Sequence, residues 1–308
     1  MIEKIGNVEL HFDYYSGTDL YSDGDIEDLL LEIAINHERS EFDSVVAEHK
    51  SWPVMYHFSS IRQNILNWYP FDKNDNVLEI GAGCGAVTAA IAEKVNSVTC
   101  LDLSKRRCLI NAERNRDFDN ITIYAGNYQD IEKGLGADYD VITLIGVFEY
   151  SRGYIHTEDP YTDFLKNIQK HLKPGGKILI AIENRLGMKY WAGCAEDHTG
   201  NLFEGIEGYR NTKHVQTFSK SEIEAVLEKA GLKDNVFYYP YPDYKFPMTI
   251  YSDRYLPKKG ELRNNIANFD WRRLLLFDES EAYDSILDSN LFPVFSNSFF
   301  IEARGARS

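Results

Sequence analysis

The sequence contains few cysteines, and they are not arranged as metal or disulfide motifs. The four are Cys84, Cys100, Cys108 and Cys194, and no two of them form a CxxC pair. Neither a zinc site nor a disulfide framework is therefore predicted, and no bound metal is expected. Free thiols without a disulfide framework are typical of a reducing compartment.

Long apolar runs are also missing. The longest uncharged stretch near the middle of the chain, residues 141–148, is far shorter than the roughly 20 residues that span a bilayer. The first residues, Met1–Lys4, are charged and lack the apolar core of a secretory signal. The sequence therefore predicts a cytoplasmic protein without a membrane span.

The sequence also has no excess of positive charge. The 308 residues carry 33 Lys and Arg against 48 Asp and Glu, a formal net charge of −15. Such a chain repels the phosphate backbone, so no nucleic-acid partner is expected. The short basic run at 105–107 is more typical of a solvated helix face. With 44% hydrophobic residues, the composition fits an ordinary globular protein of one or two domains.

From residue 76 onward the pattern alternates between short apolar strands and amphipathic helices. This alternation predicts an α/β fold with a doubly wound, mostly parallel sheet. Helices are predicted at 86–95, at 105–115 after the N-cap Ser104, from 161 to a stop at 174–176, and from the Ser219–Glu222 capping box to Gly231. The predicted strands are 77–80, 97–102, 121–124, 141–145, 177–182, 236–239 and 297–302.

Three kinds of segment are expected from these patterns. Residues 1–75 are predicted to be mainly helical after a short extended start, and to cover the cofactor and acceptor site. Residues 76–239 and 297–304 form the predicted core. Residues 184–217 and 240–296 are too long for simple connections, which predicts acceptor-site insertions.

A glycine-rich turn follows the first of the predicted core strands. Gly81, Gly83 and Gly85 alternate directly after a strand and before a helix. Glycine is needed where the backbone turns sharply and a ligand approaches it closely. Gly81, Gly83 and Ala86 also satisfy a permissive dinucleotide fingerprint, with Asp102 near the expected distance for a ribose. An NAD-dependent oxidoreductase is therefore one alternative.

Neighbouring charge favours a different ligand. A pyrophosphate is disfavoured by the carboxylates of Glu79, before the glycines, and Glu149, after the fourth core strand. S-adenosylmethionine has no phosphate, and acidic groups favour its sulfonium and ammonium. Asp102 could accept hydrogen bonds from both ribose hydroxyls. Arg62 could pair with the carboxylate of this methyl donor.

These residues resemble the successive motifs of class I S-adenosylmethionine-dependent methyltransferases. The resemblance rests on Glu79–Gly85, Asp102, the strand 140–145 and the segment 172–176. It implies a Rossmann-like sheet of seven strands whose last strand is antiparallel. Asn127 stands where many relatives have Asp, and its amide can still address the adenine amino group. The predicted cofactor-binding residues are Arg62, Glu79, Gly81, Ala82, Gly83, Asp102, Leu103, Asn127, Tyr128 and Gly146.

Segments outside these motifs resemble a smaller group of methyltransferases. Residues 52–57, 62–64, 183–187, 196–200 and 239–244 are similar to bacterial methyltransferases found alone or fused to glycosyltransferases. This implies O-methylation of a sugar, as a small molecule or linked to a glycan, and a glycosyltransferase as a candidate partner. A non-catalytic module that binds the methyl donor and positions a glycosyltransferase is a further alternative.

Methyl transfer to a hydroxyl needs alignment of donor and acceptor and a group that takes the proton. His198 is the first candidate for the base, with Asp197 as a neighbouring carboxylate that raises its basicity. Glu183, at the end of the fifth core strand, is the second candidate. A histidine in a surface loop is the alternative interpretation of His198.

Overall fold

The structure is a computed structural model that describes residues 2–19, 24–265 and 273–305. The chain divides into two compact units. The first contains Met1–Ile145 and His171–Gly176, and the second contains Gly146–Lys170 and Lys177–Ser308.

This division differs from the expected one. It falls directly after the strand predicted at 141–145, inside the segment predicted as a single core, rather than near residue 75. Part of the expected insertion 240–296, namely residues 266–272, lies outside the described residues.

The first unit contains a largely parallel arrangement of strands. Its strands are β1 (Ile2–Ile5), β2 (Val8–Tyr14), β3 (Asn76–Ile80), β4 (Ser97–Asp102), β5 (Ile121–Gly126) and β6 (Tyr139–Ile145). Their order is β1-β2-β5-β4-β3-β6, and only the β1–β2 pair is antiparallel. From β3 the chain proceeds outward to β5 and then returns to β6 on the other side of β3. Ligands bind beyond the carboxyl ends of strands at such a reversal.

The helices of the first unit are α1 (Ile26–Asn36), α2 (Phe42–His49), α3 (Trp52–Phe58), α4 (Asn64–Asn67), α5 (Thr88–Ala92), α6 (Lys105–Arg114) and α7 (Tyr128–Ile131). Helix α6 begins as predicted, because the Ser104 side chain accepts a hydrogen bond from the Arg107 N–H. Helix α5 is shorter than predicted, since the turn continues through Val87.

The N-terminal helices pack against the glycine-rich turn. Leu30 and Ile33 of α1, Phe42 of α2 and Phe58 of α3 belong to one buried cluster with Cys84. Cys84 lies between two of the turn's glycines, so this apolar contact fixes the turn against the helices.

The second unit is antiparallel. Its strands are β7 (Leu172–Glu183), which belongs to this unit from Lys177 onward, β8 (Leu232–Tyr241), β9 (Thr249–Ser252) and β10 (Ser298–Gly305). Their order is β7-β10-β8-β9, with every neighbouring pair antiparallel. Its helices are α8 (Ser151–Tyr154), α9 (Pro160–Ile168), α10 (Met188–Trp191), α11 (Lys220–Lys229), α12 (Glu279–Asp288) and α13 (Phe292–Phe295).

The seven predicted strands are present as β3 to β8 and β10. The expected count of seven is nevertheless too low, since the described residues form ten strands. Val8 and Leu10 are fully buried along β2, which extends the first unit's strands beyond β5. The segment 174–176, predicted to stop a helix, lies inside β7, because α9 ends earlier at Ile168.

One further prediction concerns the start of a helix in the second unit. The capping box of Ser219 and Glu222 is present at the start of α11. Among the described residues, no helix is both long and apolar enough to cross a membrane.

Candidate functional site

The glycine-rich turn after β3 has the backbone that its glycines permit. Gly81, Gly83 and Gly85 have φ angles of 70°, 54° and 72°, in the region that side chains disfavour. The N–H groups of Gly81 and Ala82 both donate to the Leu101 carbonyl, at 2.8 and 3.0 Å. The turn is thereby held to the end of the neighbouring strand β4.

Two of these glycines meet different surroundings. A Cβ atom on Gly85 would lie 2.2 Å from Asn111 Oδ1, so this position needs glycine for packing against α6. A Cβ atom on Gly83 would meet nothing within 4 Å. The backbone at Gly83 therefore borders open space, as a ligand-binding turn requires.

Asp102, the last residue of β4, braces the turn. Its Oδ2 accepts a hydrogen bond from the Gly83 N–H at 2.8 Å, and its Oδ1 accepts one from the Ser104 N–H at 2.9 Å. Desolvation raises the pKa of this carboxyl. Each carboxylate oxygen can accept a second hydrogen bond, so the ribose contact stays a prediction alongside this bracing role.

Glu79 lies within β3 and is only 3% exposed. Its Oε2 accepts hydrogen bonds from Thr88 Oγ1 at 2.7 Å and from Cys100 Sγ at 3.4 Å. Burial raises the pKa of this carboxyl to about 7. Its described contacts are with protein groups, and the predicted contact with the cofactor stays a prediction.

Glu79→Gln is expected to reduce the pH dependence of the free energy of unfolding. Because the pKa rises from 4.5 to about 7 on folding, the folded chain keeps a proton that the unfolded chain loses above about pH 4.5. The wild-type free energy of unfolding should therefore fall as pH rises to about 7, by about 3 kcal/mol, and then stay level.

Urea unfolding at about pH 5 and pH 8 measures this difference. Glu79→Gln should lose less stability between the two pH values than the wild type. Glu48→Gln, at an exposed position, is the matched control and should follow the wild type. An equal loss in the wild type and in Glu79→Gln would contradict the prediction.

The other predicted cofactor residues of the first unit lie near strand ends or on buried helices. Leu103 directly follows β4. Asn127 follows β5 and caps α7, where its Oδ1 accepts the Gln129 N–H at 3.1 Å. Tyr128 is the first residue of α7. Arg62 is buried, with its guanidinium 4.5 Å from the centre of the Tyr56 ring.

Gly146 belongs to the second unit. It has a φ of 69°, and its N–H donates to the Ala181 carbonyl at 2.9 Å. A Cβ atom there would lie 2.7 Å from Tyr244 Oη. Glycine is therefore required at this position by the close approach of a tyrosine of the same unit.

Arg114, at the end of α6, is a residue of the first unit that sequence reasoning missed. It is buried and donates to the carbonyls of His57, at 2.6 Å, and Cys84, at 3.1 Å. Burial lowers its pKa to about 10. Its spacing of four residues from the buried Ile110 was the available signal. Arg114 connects helix α3 to the glycine-rich turn.

A second group of functional side chains is buried in the second unit. His198 Nε2 lies 3.5 Å from Glu149 Oε1 and 3.9 Å from Glu183 Oε2. The side chains of Glu149, Glu183 and His198 are 1%, 0% and 8% exposed. Glu149 follows β6 along the chain, and Glu183 is the last residue of β7. The three are called the acidic cluster below.

The residue that orients His198 is Glu196. Its Oε1 lies 2.8 Å from His198 Nδ1, and its Oε2 accepts the N–H groups of His198 at 2.9 Å and Thr199 at 2.8 Å. Tyr209 Oη also donates to Glu196, at 3.1 Å. The expectation that Asp197 supports His198 is therefore wrong, because Asp197 points to different partners.

Asp197 pairs with two lysines. Its carboxylate lies 2.8 Å from Lys189 Nζ and 3.1 Å from Lys245 Nζ, and it accepts a hydrogen bond from Tyr190 Oη. Although burial opposes its charged form, the lysines hold the pKa of Asp197 far below its usual range. Lys245 also binds Glu183 Oε1 and so connects the two sets of groups.

The surroundings of His198 favour its protonated form. Burial alone would lower its pKa, but the carboxylates of Glu183, Glu149 and Glu196 raise the pKa well above its usual value. A general base must first be free of its proton. The role of His198 as a general base therefore stays a prediction.

The comparison with known families identifies the central part of the chain. A family model described as a methyltransferase domain matches residues 78–178. The matched segment includes the glycine-rich turn, Asp102, Asn127 and Glu149.

Curated relatives match over limited lengths. A ribosomal RNA small subunit methyltransferase A of Streptococcus gordonii is 42% identical over 65 residues, which are 21% of this chain and 22% of the relative. A ubiquinone biosynthesis O-methyltransferase of Idiomarina loihiensis is 29% identical over 164 residues, covering 51% and 61% of the two chains. The chain thus spans less than two thirds of the length of these relatives.

Solved structures match over more of the chain, at lower sequence identity. An S-adenosylmethionine-dependent methyltransferase of Thermotoga maritima is 16% identical and matches with a TM-score of 0.46, covering 87% of this chain and 99% of the other. The family match itself coincides with the reversal of strand order and the glycine-rich turn of the first unit. The chain therefore carries, over residues 78–178, a segment that matches a methyltransferase domain.

Proposed function

We propose that this protein transfers the methyl group of S-adenosylmethionine to a hydroxyl of a sugar, as a small molecule or linked to a glycan. The proposal that a hydroxyl accepts the methyl group is supported by the buried acidic cluster of Glu149, Glu183 and His198. The donor part rests on the methyltransferase domain and its glycine-rich turn.

The turn suits a donor that carries positive charge. Gly83 borders open space at a reversal of strand order, and Asp102 and Glu79 place carboxyl groups beside it. The N–H groups of Gly81 and Ala82 donate to the Leu101 carbonyl, and that of Gly83 donates to the Asp102 carboxylate. This arrangement favours a sulfonium and a ribose over a pyrophosphate.

The acidic cluster suits an acceptor with a proton to lose. Glu149 Oε2 and Glu183 Oε2 are buried and have no hydrogen-bond partner. A hydroxyl can donate to such an oxygen, whereas an acceptor without donors would leave both oxygens unsatisfied. In the reaction the hydroxyl proton passes to the cluster, the O–CH₃ bond forms, the C–S bond breaks, and S-adenosylhomocysteine leaves.

The sugar assignment has two supports. The flanking segments resemble methyltransferases associated with glycosyltransferases. Trp191, at the end of α10, is 40% exposed and contacts Phe295, so it offers an aromatic face on the same unit as the acidic cluster. The flat face of an aromatic ring is a large apolar surface, and the indole N–H of Trp adds a hydrogen-bond donor at its edge. A sugar ring can pack its C–H groups against such a face.

The test is transfer of a labelled methyl group from S-adenosylmethionine to a panel of sugar nucleotides and oligosaccharides. Label should enter a sugar as a base-stable ether, and an analogue lacking the accepting hydroxyl should receive none. Ribosomal RNA and a ubiquinone precursor, the substrates suggested by the relatives' names, are tested in parallel. Label in either of these, with none in sugars, would overturn the sugar assignment.

The same experiment tests the non-catalytic alternative. A module that only binds the methyl donor and positions a glycosyltransferase would give donor binding without transfer to any acceptor, and the donor would bind equally to His198→Ala. Transfer that is lost in His198→Ala would support the enzyme.

A further inference from the structure

The acidic cluster has the composition of a metal site. Glu149, Glu183 and His198 each offer one ligand atom, and these atoms lie within 4.8 Å of one another. We propose that the cluster binds one divalent metal ion through Glu149, Glu183 and His198 Nε2. The binding is argued from geometry alone, while its use in the reaction rests on the proposed function.

Two buried oxygens in the cluster lack a partner. Glu149 Oε2 and Glu183 Oε2 make no hydrogen bond, although their side chains are 1% and 0% exposed. A buried carboxylate oxygen without a donor is costly. A cation between the two carboxylates would satisfy both oxygens at once.

The spacing around His198 fits a coordination shell better than direct hydrogen bonds. Its Nε2 is 3.5 Å from Glu149 Oε1 and 3.9 Å from Glu183 Oε2, beyond the usual hydrogen-bond range. Ligands about 2.1 Å from a shared ion lie roughly 3 to 4 Å apart. Small side-chain rotations would bring all three donors onto one ion.

The surrounding contacts hold the donors in place. Glu196 accepts from His198 Nδ1 at 2.8 Å, which directs the lone pair of Nε2 toward Glu149 and Glu183. Tyr209 in turn donates to Glu196. Lys245 binds the other oxygen of Glu183 and leaves Oε2 available. Such outer contacts are a regular feature of protein metal sites.

The charges nearby also favour a cation. The ion pairs found among the described residues connect five carboxylates with His198 and two ammonium groups, those of Lys189 and Lys245. When a metal takes the place of the proton on His198 Nε2, these carboxylates and ammonium groups leave three negative charges. A divalent ion would leave one. The carboxylates are those of Glu149, Glu183, Glu196, Asp197 and Asp243.

The donor set selects the kind of metal. Two carboxylates and one imidazole suit Mn²⁺, Fe²⁺ or Zn²⁺, whereas Ca²⁺ and Mg²⁺ prefer oxygen ligands alone. An ion held by three side chains keeps open positions. Under the proposed function, one of these would take the acceptor hydroxyl and lower its pKa, which assists removal of its proton.

The probe is Mn²⁺, titrated into the full chain after dialysis against a chelator, with bound and free ion distinguished by electron paramagnetic resonance. Neither donor nor acceptor is present. We expect one bound Mn²⁺ per chain, displaced by Zn²⁺. Glu149→Gln and His198→Ala should each weaken binding by about tenfold or more, equivalent to about 1.4 kcal/mol. Glu207→Gln, at an exposed position of the same unit, should bind as the wild type does.

Circular dichroism of each variant checks its fold. If His198→Ala does not fold, the nearly isosteric Glu149→Gln decides. Absence of bound Mn²⁺ in the wild type, or equal binding by wild type and a folded cluster variant, would overturn the metal site. Methyl transfer to a sugar at full rate in excess chelator would also overturn the ion's part in the reaction and leave the proposed function intact. Metal binding without transfer to any sugar would support the site and count against the proposed function.

Discussion

Asp102→Ala is expected to weaken binding of S-adenosylmethionine by about a hundredfold, or about 2.7 kcal/mol. The carboxylate accepts the N–H groups of Gly83 and Ser104. Hydrogen bonds to a charged group contribute about 1.5–3 kcal/mol each, so their loss loosens the turn at Gly83, while the N–H groups of Gly81 and Ala82 still bind the Leu101 carbonyl. The predicted contacts with the ribose are lost as well. Titration calorimetry with the methyl donor measures the effect.

The control for this variant is Asp119→Ala, which removes an exposed carboxylate of the same unit. It should bind the methyl donor as the wild type does. Asp102→Asn keeps one acceptor oxygen and should bind with intermediate affinity. Binding by folded Asp102→Ala that matches the wild type would show that the turn does not depend on this carboxylate.

Glu183→Gln is expected to lower kcat for methyl transfer by about 10²- to 10⁴-fold, the range of acid–base contributions. Glu183 is fully buried, faces His198 through Oε2 and binds Lys245 through Oε1. Gln keeps the shape and removes the negative charge. Because Glu183 and Asp102 belong to different units, the affinity for the methyl donor should change little.

Single-turnover rates and donor affinity must therefore be measured together for Glu183→Gln. Since Lys245 loses one of its carboxylate partners, thermal unfolding checks that the variant is folded. A folded variant with the wild-type rate would exclude Glu183 from the chemistry. A variant that loses donor affinity and rate equally would assign it a role in holding the fold.

The strands that sequence predicted best are those buried on both faces. Residues 141–145 form a continuous apolar run, and β6 covers them. Strand β2 was predicted only as part of a short extended start, because Val8 and Leu10 are buried while Glu9 between them is exposed, and so few alternations give a weak pattern. The start of β7 was missed because Pro174 and the two glycines after it are typical of a turn.

The glycine-rich turn was predictable because its signal is local. Gly81, Gly83 and Gly85 are close in sequence, and their φ angles agree with the reason for having glycine there. For Arg114 the local signal was weak, because its spacing from Ile110 indicates only burial and its partners His57 and Cys84 are distant in sequence.

The acidic cluster was predictable only in part. Glu183 and His198 were chosen as candidates for separate reasons, and the fold brings them within 3.9 Å. The sequence does not show whether Glu196 or Asp197 contacts His198, because both residues are near neighbours of it. The backbone turn at 196–199 decides this, since the N–H groups of His198 and Thr199 bind Glu196 and hold its carboxylate beside the imidazole. The contacts of Lys245 with Glu183 and Asp197 join residues distant in sequence, so no local sequence pattern predicts them.

The most direct measurement is the melting temperature of the chain with S-adenosylmethionine and, separately, with NAD. S-adenosylmethionine is added at about 100 times its dissociation constant, and NAD is added at the same concentration. A ligand at that level stabilises the folded chain by about 2.7 kcal/mol, which shifts the melting temperature by several degrees. The account predicts that S-adenosylmethionine raises the melting temperature of the wild type, that Asp102→Ala loses this rise, and that NAD has no effect. A rise with NAD and none with S-adenosylmethionine would contradict it.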